Sequence, residues 1–118
     1  MRSTLAVAIP VLSLVGIGVA EAADPMLLAE TSGFLLGNAQ RCDVPVERVE
    51  RAGKVIHGFI EIAANDPTEA AAADRRFAEI FLASAFPDQR RDALVPPCKV
   101  VIAQFERLER HHQQSGMN

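Results

Sequence analysis

The apolar positions of residues 45–64, PVERVERAGKVIHGFIEIAA, recur at steps of three and four. Val46, Val49, Gly53, Ile56, Ile60 and Ala63 therefore share one face of a helix. Ala52, Val55, Phe59 and Ile62 widen that stripe, which predicts contact with more than one neighbour. Glu47, Arg48, Glu50, Arg51 and Lys54 fill the outer face. Within it Glu47–Arg51 and Glu50–Lys54 are i,i+4 pairs in the favourable order, which support a solvated helix surface and imply no site. The pattern predicts the central helix of a bundle, beginning after Val44 because Pro45 disfavours helical backbone there.

Three further helices follow from the same reasoning. Asp24 and Pro25 supply an N-cap and a first helical residue. The helix they open has Leu28, Ser32, Leu35, Ala39 and Cys42 on one face. Gly33 and Gly37 are spaced four apart on it, as in close helix–helix contacts, and the polar residues around them favour a packing role within the fold over one in a membrane. Asp66, Pro67 and Glu69 give the clearest start signal in the chain. Ala70, Ala73, Phe77, Ile80, Phe81 and Ser84 share a face of that third helix, and Phe86-Pro87 ends it. Pro96-Pro97 precedes a fourth helix whose inward stripe is Cys98, Val101, Ile102, Phe105, Leu108 and His112. The expected fold is all-α, a small four-helix antiparallel bundle in up-down-up-down order.

Met1 to Ala22 has another character. Arg2 provides a positive start, Leu5 to Val19 carries no charge, and Ala20-Glu21-Ala22 is a small-x-small site. This predicts a bacterial-type secretory signal peptide cleaved after Ala22, with a mature chain beginning at Ala23 in the periplasm or outside the cell. The run is short of the roughly 20 apolar residues a membrane span needs, and Pro10, Gly16 and Gly18 interrupt it. The expected division is signal peptide 1–22, helical domain 23–112 and polar tail 113–118, without stable membrane association once cleaved.

Composition narrows the function. Hydrophobic residues make up 49% of 118, yet Trp and Tyr are absent and Phe numbers 6, so the core must be aliphatic and rich in Ala. A net charge of -3 gives no reason to expect nucleic acid as a partner. The 2 cysteines cannot build a Cys-based zinc site and lack the spacing of a C-x-x-C redox motif. In an up-down-up-down order Cys42 ends the first helix at the end where Cys98 begins the fourth, so a structural disulfide between them is expected in an oxidising compartment.

Candidate chemistry is sparse. None of His57, His111 and His112 has the i,i+4 spacing of a helical metal site. His111 and His112 are expected to place positive charge at a helix C-terminus beside Arg107 and Arg110; a weak metal site with Glu109 is the rival reading. Arg75-Arg76 and Arg90-Arg91 could form an anionic-partner patch, but Asp74, Glu79, Asp88 and Asp92 offset them. Ser32 and Ser84 are expected to bond back onto their own helices. No nucleophile elbow, phosphate loop, dinucleotide fingerprint or haem motif occurs. The stretch 86–97, with Asp88, Arg90, Arg91 and Asp92, is the expected partner-facing loop.

In overall plan the chain is similar to the small periplasmic acid-stress chaperones and, in size and export, to small immunity proteins. That likeness is architectural, rests on no shared motif and carries no residues across. The expected function is a non-enzymatic binding or protective module that uses no cofactor and meets a protein partner the sequence does not name. A carrier of a small molecule or metal in an inter-helix pocket is the alternative, and a hydrolase without a recognisable motif comes third.

Overall fold

The computed structural model describes residues 24–87 and 95–116, with side chains as far as Gln113. These residues form four helices and no strand: α1 (Pro25–Arg41), α2 (Val46–Ala63), α3 (Pro67–Ala85) and α4 (Cys98–Gly116). The signal peptide expected at 1–22 and the charged residues Asp88, Arg90, Arg91 and Asp92 of the expected partner-facing loop lie outside the described residues.

The helix starts follow the sequence signals. The Asp24 carboxylate accepts hydrogen bonds from the Met26 and Leu27 amides, and Pro25 takes the first helical position. At α3 the Asp66 carboxylate accepts from the Glu69 amide, while Glu69 reaches back to the Asn65 amide. This is a capping box displaced by one residue on its return arm. At α4 the carbonyl of Pro97 accepts from both Val100 and Val101.

The turn between α1 and α2 is set by backbone. Asp43 has φ 67°, in the left-handed region. Its amide donates to Gln40 O, and the next amide, of Val44, donates to Ala39 O. This pair of bonds is the Schellman termination, in which the left-handed residue satisfies carbonyls that the helix end would otherwise leave bare. Val44 and Ala39 are both buried, which supplies the apolar contact that accompanies the motif.

The core consists of aliphatic side chains and Phe77 and Phe105, with Phe105, Leu36 and Ile60 the largest side chains wholly removed from solvent. Its centre is α1, which corrects the expectation that α2 is central. α1 has its broadest contact with α3 and also packs on α2 and α4. Its buried residues include Ala29, Ser32, Gly33, Leu36, Gly37 and Asn38, which lie around most of its circumference. α2 buries only Val49, Ala52, Ile56 and Ile60, a single stripe. Val46 and Ile62, expected on or beside that stripe, are 51% and 81% exposed: Val46 is the first residue of the helix, and Ile62 stands about 200° round it from the buried Ile60, on the outer face.

The glycines of α1 set its spacing from α3. A Cβ placed on Gly37 would lie 2.5 Å from the Phe81 carbonyl oxygen and 2.7 Å from Ser84 Cβ. One on Gly33 would lie 2.9 Å from the Phe77 carbonyl oxygen. The helix backbones meet here, and hydrogen is the only side chain that fits. The packing role expected for this pair within the fold is the one the structure gives it.

Candidate functional site

Cys42 and Cys98 form a disulfide, with Cα atoms 5.5 Å apart and a sequence separation of 56. It joins the C-cap of α1 to the first residue of α4. Arg41 braces the junction. Its Nε donates to Asn38 Oδ1 at 2.9 Å, one terminal nitrogen to the Pro96 carbonyl at 2.7 Å, and the other lies 3.6 Å from Cys98 Sγ. Asn38 is 2% exposed and donates to the Phe34 carbonyl, so both ends of its amide are satisfied. Sequence reasoning missed this cluster. The available signal was a polar Asn38 between the inward-facing Leu35 and Ala39, one turn before a paired cysteine.

Beside the bridge lies an open apolar cleft of about 240 Å³, lined by Phe34, Asn38, Ile80, Ala83, Ser84, Pro87 and Val95. α1 and α3 form its floor. Pro87 and Val95, the flanks of the expected partner-facing loop, form its rim. Phe34 and Val95 remain 38% and 47% exposed, so this wall has apolar surface left uncovered.

Other polar groups are engaged elsewhere. Arg48 of α2 grips Glu109 of α4 through two nitrogens, Nε at 3.0 Å and Nη2 at 2.5 Å, and lies over the Phe105 ring at 5.6 Å. The pairing raises the Arg48 pKa further above its ordinary value. Arg76 donates to Glu30 at 3.0 Å and Glu79 at 3.2 Å, so this one arginine of the basic doublets is offset, partly across the α1–α3 contact. Ser32 bonds back to the Leu28 carbonyl as expected.

The histidines divide into two settings. His57 Nδ1 lies 2.7 Å from Asp74 Oδ1, with its ring 5.3 Å from that of Phe77. A carboxylate that orients an imidazole is one part of a base-catalysis constellation, but here no Ser, Thr or Cys bonds to His57 among the described residues. His112 packs edge-on to Phe59 of α2, ring centroids 5.5 Å apart. Burial first, and the like charge of His111 second, lower its pKa. The expected role of His112 as helix-end charge is therefore corrected: α4 continues to Gly116, and the ring packs as an apolar surface. Glu109, the third donor of the rival metal reading, is held by Arg48. Among the described residues no three His, Cys, Asp or Glu side chains gather as metal ligands, and no helix is long and apolar enough to cross a membrane.

Comparison with protein-family models, with curated proteins and with solved structures found no match to this chain.

Proposed function

We propose that this chain is an exported, non-enzymatic interaction module that receives an apolar anchor side chain of a protein partner in the cleft between α1 and α3. The cleft carries the reading. It is apolar and open, and Asn38, which lines it, also holds the Arg41 that braces the disulfide. Its volume of about 240 Å³ is below the roughly 300 Å³ at which small-molecule pockets begin, but a buried anchor residue is the usual energetic centre of a protein interface. This size favours a side chain of a partner over a carried small molecule.

Export is part of the same proposal. Its support is the Met1–Ala22 pattern and the compatibility of a Cys42–Cys98 bridge with an oxidising compartment. Intact mass of the chain recovered from that compartment should begin at Ala23; a membrane fraction retaining Met1 to Ala22 refutes it. The up-down-up-down order is supported by contacts that advance together: Gly33 meets Phe77 and Ile80, and Gly37 meets Phe81 and Ser84, as two helices of like direction require.

A photo-crosslinking residue at Ala83, with one at Glu61 on α2 as control, tests the docking surface in the source compartment. A discrete protein adduct at Ala83 alone supports the reading. Adducts at both positions, or none at either, refute it. A small bound mass released on denaturation, seen by native mass spectrometry, would replace it with the carrier.

A further inference from the structure

We propose that the Cys42–Cys98 bridge is an exchangeable disulfide with Cys98 as its reactive sulfur and Arg41 as the cation that activates it, which goes beyond the docking role above. Five observations make the two sulfurs unequal. Cys98 is the first residue of α4, where the positive end of the helix dipole favours an anion. Cys42 caps the C-terminus of α1, where the carbonyls disfavour one. The Arg41 guanidinium lies 3.6 Å from Cys98 Sγ and is held there by Asn38 and the Pro96 carbonyl. Lys99 follows Cys98, whereas Asp43 follows Cys42. Cys98 is also partly exposed while Cys42 is 8% exposed. A cysteine in an electropositive, accessible setting is the kind whose thiolate is stabilised, and thiolates carry exchange.

The electron balance needs only a small thiol. One thiolate attacks Cys98 Sγ, the protein disulfide breaks, and Cys42 leaves as a thiolate and takes a proton. A second thiolate attacks the outer sulfur of the mixed disulfide, and Cys98 departs as the thiolate that Arg41 and the helix end stabilise. Two thiols become one disulfide, and the protein gains two electrons and two protons. In reverse, Cys98 attacks an external disulfide and Cys42 resolves it.

The probe is glutathione, with alkylation to read each sulfur. Protein equilibrated with a glutathione couple and acid-quenched should carry glutathione on Cys98, located by peptide mapping; the adduct on Cys42 overturns the proposal. In the reduced protein, iodoacetamide should modify Cys98 about ten-fold faster than Cys42 near neutral pH. The midpoint of that reaction against pH should lie lower than for Cys98 in urea, which exposure alone would not produce. Arg41→Gln should move the midpoint toward the urea value, and Arg41→Lys should restore part of it. Equal rates, an unshifted midpoint, or a shift indifferent to Arg41→Gln refutes the assignment. Loss of the helices on reduction also refutes it, because the folded reduced state is what holds Arg41 at the sulfur.

Discussion

Adding one methyl group at Gly37 should destabilise the protein, whereas the same change at Gly58 should stabilise it. In a helix interior, Gly→Ala gains about 0.8–1.0 kcal/mol from backbone propensity alone. At Gly58 a Cβ meets nothing within 4 Å, so that gain should appear nearly whole. At Gly37 the new carbon would lie 2.5 Å from a backbone oxygen and 2.7 Å from Ser84 Cβ, so α1 and α3 must move apart. Overpacking of this kind costs about 1–3 kcal/mol, toward the upper end where backbone is struck. The net is a loss of about 1–2 kcal/mol at Gly37 beside a gain approaching 1 kcal/mol at Gly58. Gly33→Ala should fall between them, since its closest contact is 2.9 Å. Urea denaturation followed by circular dichroism, with the disulfide intact, measures all three. In a domain of this size each kcal/mol moves the melting temperature by roughly 4–8 °C. A Gly37→Ala protein as stable as Gly58→Ala would refute the close approach of α1 to α3 and, with it, the central position of α1.

Further substitutions probe separate parts of the fold. Ile56→Ala should cost about 2–5 kcal/mol in denaturant unfolding, since Ile56 is 2% exposed; a negligible loss would break the register of α2. Asp43→Gly should raise stability by about 0.5 kcal/mol and Asp43→Ala lower it, because the left-handed backbone there favours glycine. The lowered pKa of His112 means that the unfolded chain binds its proton more readily than the fold does, so stability should fall as pH drops through the ordinary histidine value near 6.5 and level off below the folded value. His112→Phe should flatten that part of the stability–pH curve, and an unchanged curve would remove His112 as its source.

The existence and starts of the helices were legible in the sequence because caps and prolines act locally. Asp24, Asp66, Pro45 and Pro97 each do in three dimensions what their neighbours along the chain require. The rank order of the helices was not legible. Periodicity is strongest where one face is wet, so α2, with a single buried stripe, gave the clearest pattern. α1 touches every other helix, and burial around most of its circumference blurred its signal. The cysteine pairing could be anticipated, because direction along a bundle is countable from the loops. The Arg41 brace left only the inward Asn38 as its trace, since its contacts join residues 55 to 57 positions apart, and the cleft left none, since it gathers residues of α1, α3 and the segment before α4.

The disulfide divides the chain into a closed ring and two arms. The ring, from Cys42 to Cys98, contains all of α2 and α3; α1 and α4 are the arms. One backbone cut anywhere within the ring leaves a single covalent molecule, so a nick there releases no fragment until the sulfurs part. A pull applied to the two ends travels through α1, across the bridge and out along α4, and the ring carries none of the load through its own backbone. Reduction would release a slack of 56 residues, on the order of 200 Å when drawn straight. Single-molecule stretching would register that length as one added step.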